Sequence, residues 1–456
     1  MRKFIDDIKK LNIKFLDKKE DIYPYAFDTA PLKKEVELPF CVVFPKDTND
    51  VQKIVKLANK FKLNIVPRGA ATCHTSGCKP DRNSVVIHLS LMNKIIEINK
   101  EDLTAKVKPY VTVKELQKEA EKAGLFFPPD PSNLAVSTVG GAVALSSGGP
   151  RAFKYGTTKD YVINLEVVLP TGEILQTGSN VAKNVTGYNL TQLFTGSEGT
   201  LGIITEITFR LIPKPDKRLV TLCYFDSILD ATRAVNNIIN ALIVPSTLDL
   251  LDKNTLSTIE KYNPTGFIEE KEAALLIEID GSEAKIREDN EKLYTVLQNS
   301  GAVKIIQSKN EEDNENIWKA RRSAYACVTK LKPNVATEDV VVNRSKILPL
   351  VEGIQKICTR YNMLVCIMGH AGDGNIHPNF ALDLENEEEK KNFELVKKEL
   401  FELAVSLGGS LSGEHGIGSE KKPYLEMALN PVTLKYMKKI KELFDPDNIM
   451  NNGKIF

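Results

Sequence analysis

The sequence predicts an α+β protein of two main domains, and three observations lead there. At 456 residues the chain exceeds the length at which a single hydrophobic core stops growing. A strand, a helix and a second strand succeed one another over 41–66, the opening of a βαβ unit. Pro213-Lys214-Pro215 then interrupts the pattern near mid-chain, before a second series of helices and well-separated strands.

Residues 1–36 read as an amphipathic helix, with Phe4, Ile5, Ile8 and Leu11 on one face, and a polar extension for packing or docking. The first domain spans 37–215. It holds a strand over 41–44, a helix over 48–61 with Val51, Ile54, Val55 and Ala58 inward, and a strand over 64–66. Strand-like runs follow at 85–87, 95–98 and 105–107, then a helix over 113–123 and strands over 165–169 and 203–211. The second domain spans 216–410, with helices near 228–241, 283–298 and 387–407 and a strand over 274–279. Helices between well-separated strands predict an antiparallel sheet covered on one face. Residues 411–456 return to turns and one amphipathic helix, and are expected to pack back onto the first domain.

Composition excludes several function classes. Hydrophobic residues at 42% and charged residues at 27% are those of an ordinary globular protein. Sixty-one Lys and Arg against 60 Asp and Glu give a net charge of +1, so nothing electrostatic recruits nucleic acid or an anionic membrane. Seven scattered cysteines without a CxxC pair predict a reducing compartment, the cytoplasm. Cys73 and Cys78 bracket His74, a pattern open to thiol or metal chemistry. Residues 1–21 lack the apolar core of a signal peptide, and no transmembrane segment is expected.

The densest chemistry lies in Gly369-His370-Ala371-Gly372-Asp373-Gly374-Asn375-Ile376-His377-Pro378-Asn379 and in Ser412-Gly413-Glu414-His415-Gly416-Ile417-Gly418. These two segments carry three of the five histidines. Two neutral imidazoles and a carboxylate suit a divalent metal, and the remaining histidine suits proton transfer near neutral pH. Three glycine-rich stretches, Pro67 to Thr72, Thr138 to Gly149 and Gly196 to Gly202, allow backbone to approach a ligand closely. Neither GxGxxG after a strand nor GxxxxGK[ST] occurs, which argues against a nicotinamide Rossmann site and a Walker A loop. Several loops around one long cofactor fit better.

Pro67-Arg68-Gly69, Pro128 to Ser132, Gly140-Gly141, Gly148 to Arg151, Lys154-Tyr155-Gly156, Gly187-Tyr188 and Gly196 to Gly202 together resemble the FAD-linked oxidase family, with its vanillyl-alcohol-oxidase-type FAD domain. The two histidine segments and Phe444-Asp445-Pro446 extend the likeness over nearly the whole chain. Within the family it looks most like the group of D-lactate dehydrogenases, the glycolate oxidase flavoprotein subunit and D-2-hydroxyglutarate dehydrogenase. The resemblance implies FAD between two α+β subdomains, under a cap domain that takes the substrate.

Matched by motif, Arg68, Gly69, Ala70, Ala71 and Thr72 cradle the pyrophosphate, and Pro129, Ser132, Thr138, Gly140, Gly141, Gly199 and Ile203 line the rest of FAD. His370, His377 and Glu414 match metal ligands, for Zn, Fe or Mn. His415 matches the catalytic base, Asn379 a substrate-site amide, and Arg321 the guanidinium that receives the substrate carboxylate. No histidine stands where some relatives attach flavin covalently, so noncovalent FAD is expected. Tyr325 and Thr337 replace groups that serve a distal carboxylate in the hydroxyglutarate enzymes, which favours D-lactate, then glycolate. The chain shows no second redox centre, so an external acceptor is implied, such as an electron-transferring flavoprotein or an iron-sulfur subunit. The alternatives are a D-2-hydroxyglutarate dehydrogenase, a non-redox transferase on the same FAD scaffold, and a noncatalytic FAD-holding subunit.

Overall fold

The computed structural model describes residues 2–31, 36–264 and 271–456. Met1 and residues 32–35 of the expected N-terminal extension, and 265–270 of the expected second domain, lie outside the described residues. The chain forms two compact units, one of Met1–Gly148, Thr157–Lys214 and Glu414–Phe456, the other of Gly149–Gly156 and Pro215–Gly413.

In the first unit, the expected βαβ opening is a strand Cys41–Phe44, a helix Thr48–Phe61 and a strand Asn64–Arg68. Asp47 starts the helix by accepting the Asp50 N–H at 2.9 Å. The strand Ser84–His88 inserts between the two strands and runs parallel to both, and Lys14–Leu16 adds an antiparallel edge. A separate five-stranded antiparallel sheet takes the order Ile95–Asn99, Thr104–Val107, Ile203–Arg210, Val162–Val168, Ile174–Gln176. The N-terminal helix Arg2–Lys10 is used for packing: Phe4 is fully buried, its ring edge-on at 6.0 Å to both Phe40 and Phe61. The C-terminal tail reaches the same core. Ile65 donates to Ile449 O and accepts from Asn451 N, each at 2.7 Å, and Ile449 and Met450 pack with Phe4 and Ile54.

The second unit is built on an eight-stranded sheet in which every pairing is antiparallel. Its order is Lys304–Gln307, Lys217–Phe225, Ala273–Gly281, Thr247–Asp252, Leu364–His370, Asn375–Leu382, Asn334–Thr337, with Val340–Val341 beside Asn375–Leu382. The expected one-sided cover is corrected here: helices cover both faces. Val220, Leu222, Leu251, Ala274, Leu276, Cys366 and Met368 face the helices Lys253–Tyr262 and Glu311–Val328. Their alternates Cys223, Leu250, Leu275, Ile277 and Ile367 are equally buried, on the side of the helices Ile228–Asn240, Glu283–Asn299 and Ile347–Arg360. Residues on both faces are apolar because both faces are dry.

Residues 149–156, expected within the first domain, group with this unit instead. Lys154 bonds the Asp280 carboxylate and, at 2.9 Å, its carbonyl, while the Tyr155 hydroxyl donates to Asp280 Oδ2 at 2.8 Å. Among the described residues no helix is long and apolar enough to cross a membrane.

One cap in this unit carries a pH prediction. Asp252 is buried at the start of the helix Lys253–Tyr262 and accepts from Thr255 N at 2.9 Å and Thr255 Oγ1 at 2.7 Å. Burial outweighs these bonds and pushes its carboxyl up to about 6. With the folded pKa above the unfolded one, the native state holds the proton longer, so this stabilisation is present at low pH and fades as pH rises from about 4 to about 6. The stability difference between wild type and Asp252→Asn therefore shifts by about 2–3 kcal/mol over that window, read from urea unfolding midpoints. A pH-independent difference contradicts the assignment.

Candidate active site

In the second unit the polar site grows out of the apolar core. Asp249, Met368, His370, His377, Asn379 and Thr337 share one face of the sheet, through the registers Asp249↔His370, Met368↔His377 and Thr337↔Asn379. The helix Glu311–Val328 lies over that face and adds Arg321.

His370 ends the strand Leu364–His370, and His377 sits in its hairpin partner Asn375–Leu382. The rings are 5.2 Å apart at 78°, and both residues are buried. His370 Nδ1 lies 2.7 Å from Asp249 Oδ1. An ionised carboxylate only accepts, so the proton sits on Nδ1. The other carboxylate oxygen of Asp249 accepts from Arg321 Nε at 2.8 Å. Burial pushes the Asp249 carboxyl up, but His370 and Arg321 together hold it below the usual carboxylate range. Arg321 Nη1 approaches Met368 Sδ at 3.5 Å, and Nη2 makes no hydrogen bond among the described residues. Arg322, its neighbour, turns away to Glu315 at 2.8 Å.

Asn379 is fully engaged as a donor, to Cys366 O at 3.2 Å and His377 O at 2.9 Å, and its Oδ1 accepts from Thr337 at 2.8 Å. Asp339 accepts from Ser412 Oγ at 2.6 Å and Gly413 N at 3.0 Å, and its other oxygen is 3.7 Å from His377 Nδ1. Asp339 thus ties Ser412 and Gly413 to the strand that carries His377. A further prediction arises at Gly374, which turns this hairpin at φ +82° with its α-carbon against the Val342 carbonyl. Gly374→Ala combines a left-handed backbone with a backbone clash and destabilises by about 2–4 kcal/mol; an unchanged urea midpoint contradicts it.

Glu414 and His415 belong to the first unit, where a second clamp holds them. Ile417 N and Gly418 N both donate to the Glu198 carboxylate at 2.7 Å. Burial raises the Glu198 carboxyl above its ordinary value, and those two amides oppose the shift. Gly416, at φ +81°, has no room for a side chain beside Glu198 Oε1. From the other side, Thr75 Oγ1 donates to His415 O at 3.3 Å and the His74 ring stacks on His415 at 4.8 Å.

The glycine loops of this unit also meet. Gly69 packs against Thr138, Thr72 Oγ1 is 3.3 Å from Ser137 Oγ, and Gly199 abuts Pro67. Thr138 caps the helix Val139–Leu145 by accepting from Gly141 N, and Gly140 N donates to Pro109 O. Ala71, at φ +56°, turns the loop between them. An added Cβ at Gly69 would meet Thr138 Oγ1 and one at Gly140 would meet Pro109, so glycine is what lets these loops pack against one another. The Arg68 guanidinium turns to Tyr25 O and Pro24 O at 3.2 and 3.4 Å, and Ile203 is buried in the apolar core. Pro129 offers its carbonyl to Gln117 at 2.9 Å, while Ser132 is exposed and Ala70 half-buried.

Sequence reasoning missed Asp249, Asp339 and Glu198. The signal for Asp249 is a carboxylate set between Leu248 and Leu250 in the strand Thr247–Asp252; an acid survives in such a place only with partners.

Residues 214–455 match the domain described as FAD linked oxidases, C-terminal domain, and residues 39–178 match the FAD binding domain. The glycolate oxidase subunit GlcD of Bacillus subtilis (strain 168) is 42% identical over 432 residues, covering 95% of this chain and 92% of that protein. A D-lactate dehydrogenase of Anaerostipes hadrus is 36% identical, covering 91% and 89%. A D-2-hydroxyglutarate dehydrogenase of Stutzerimonas stutzeri (strain A1501) is 31% identical, covering 99% and 98%. Among solved structures, p-cresol methylhydroxylase with substrate bound superimposes with a TM-score of 0.80 at 18% identity, covering 97% of this chain and 93% of that one. Alkyldihydroxyacetonephosphate synthase gives 0.78 at 20%, covering 99% and 86%; both likenesses concern the fold alone. With the sequence matched from the cofactor loops to the tail, the chain belongs to the FAD-linked oxidase family.

Proposed function

We propose that this protein is an FAD-dependent dehydrogenase of small D-2-hydroxy acids, D-lactate first and glycolate next, that forms the 2-oxo acid and passes the electrons to an external acceptor protein such as an electron-transferring flavoprotein. The observation that carries the reading is Asp249, whose two oxygens bind His370 and Arg321. One buried carboxylate thereby orients a metal-type imidazole and an arginine whose Nη2 edge is open to a substrate carboxylate. The relatives named for glycolate, D-lactate and D-2-hydroxyglutarate support the substrate class.

FAD is assigned to the loops 68–72, 138–141 and 199, bound noncovalently, and a divalent metal to His370, His377 and Glu414; when bound, they supply the two-electron acceptor and Lewis-acid polarisation of the 2-hydroxyl. Both assignments suit the residues, since glycine lets the three loops meet closely and Asp249 holds the proton on His370 Nδ1. Arg321 holds the substrate carboxylate in fork geometry. His415 takes the hydroxyl proton on an imidazole nitrogen as the C2 hydrogen leaves with its electron pair. Tyr325 bonds Thr337, which bonds Asn379, so the groups beside the site are neutral and favour a substrate without a second carboxylate.

The test is anaerobic bleaching of the bound flavin by a panel of D- and L-2-hydroxy acids, with metal analysis of the same sample. D-Lactate is expected to bleach fastest, with glycolate next and one equivalent of divalent metal present. Bleaching by D-2-hydroxyglutarate alone reassigns the substrate. No bleaching by any hydroxy acid favours a non-redox use of the scaffold.

A further inference from the structure

Cys73 and Cys78 sit in the loop that clamps the His415 segment, and the proposed reaction gives them nothing to do. Their sulfurs are 3.4 Å apart, with Cys73 donating to Cys78. The fully buried Asp28 side chain lies against both, 3.3 Å from Cys73 Sγ and accepting from Cys78 N at 3.4 Å, with Lys79 4.0 Å away. The other five cysteines are all buried, whereas Cys78 is half-buried.

We propose that Cys73 and Cys78 form a dithiol site that closes reversibly to a disulfide under two-electron oxidants such as hydrogen peroxide. The Cys78 thiolate attacks one peroxide oxygen and expels hydroxide, which takes up the proton, giving a sulfenic acid and water. The Cys73 sulfur then displaces the sulfenic oxygen as a second water and loses its own proton, so two thiols and one peroxide become one disulfide and two waters. The bond that Cys73 donates holds the Cys78 thiol below its ordinary range, while burial lifts Cys41, Cys358 and Cys366 to about 12. Attack therefore starts at Cys78.

Closure brings the sulfurs from contact to about 2.05 Å, and the loop between them must absorb the movement. Its two ends are held, Cys73 O by Thr29 at 2.7 Å and Cys78 N by Asp28. The intervening residues hold the catalytic segment instead. His74 stacks on His415, Thr75 O accepts from Ser419 N and Glu420 N at 3.0 and 3.3 Å, and Ser76 Oγ donates to Glu420 at 2.7 Å. Closing the pair therefore displaces the segment that carries His415. Only this consequence for turnover rests on the proposed role of His415; the disulfide does not.

The purified FAD-loaded protein is treated with hydrogen peroxide, denatured, alkylated and digested with trypsin. Cleavage after Arg68 and Arg82, with Lys79 protected by Pro80, leaves both cysteines in one peptide. The expected product is that peptide lighter by two hydrogens and resistant to alkylation, with full alkylation restored by dithiothreitol. Turnover should fall several-fold on oxidation and recover with dithiothreitol, and Cys78→Ser holoenzyme should show neither change. Alkylation of both thiols after peroxide, or stable sulfinic acid in place of the linked peptide, overturns the dithiol site. A disulfide with undiminished turnover overturns its coupling to the His415 segment and leaves the hydroxy-acid reading to the flavin-bleaching test.

Discussion

Replacing His415 by alanine is expected to lower turnover with D-lactate by about 10²- to 10⁴-fold while the purified protein keeps its FAD. The first half follows from the loss of a proton acceptor in the proposed reaction. The second half follows from how the segment is held. Its ties are the amides of Ile417 and Gly418 to Glu198 and the His415 carbonyl to Thr75, all made by backbone on this side. Removing the imidazole gives up the His74 stack but leaves these backbone ties in place. The cofactor loops meet through Gly69, Thr138, Thr72 and Gly199, none of which needs the His415 ring. Flavin absorbance of the variant gives the cofactor content, and single-turnover reduction under anaerobic conditions gives the chemical step. Loss of flavin together with activity would mean that the ring has a structural role. Flavin reduction at the wild-type rate would remove His415 from proton transfer altogether.

How far the sequence could be read depends on the distance over which each feature is encoded. The βαβ opening was legible because Thr48–Phe61 keeps a helical apolar period between two short strands. The sheet of the second unit was mostly illegible for the opposite reason. Leu364–His370 and Asn375–Leu382 bury almost every residue, so no alternation marks them as strands, and only the stretch within Ala273–Gly281 stood out. The helix Glu311–Val328 turns Asn314, Trp318 and Arg321 inward, which blurs its apolar stripe. Within the site, His370 and His377 were visible as a local motif because a hairpin brings residues of near sequence together. Asp249 lies 121 residues before His370, and Glu198 lies 219 before Ile417. Such partners are fixed by sheet order and tail return, which no local pattern specifies.

Asp249 is also where the second large effect is expected. Its carboxylate is fully buried and offers one oxygen to His370 and the other to Arg321, so deleting it strands both partners in the interior. Breaking a buried ionic group in this way costs about 3–5 kcal/mol, and Asp249→Ala should lower the urea midpoint accordingly. Asp249→Asn separates stability from chemistry. The amide keeps the volume and one good acceptor, but its NH₂ group faces a donor and the negative charge is gone, so only one of the two partners can stay bonded. If His370 loses its orienting bond, metal affinity falls by about 10- to 100-fold, read as metal retained after dialysis against a chelator. If Arg321 is released instead, the Michaelis constant for the hydroxy acid rises while metal content holds. Either result keeps Asp249 as the residue that joins the two subsites. Full metal retention with an unchanged Michaelis constant would show that its two hydrogen bonds serve the packing of the second unit alone.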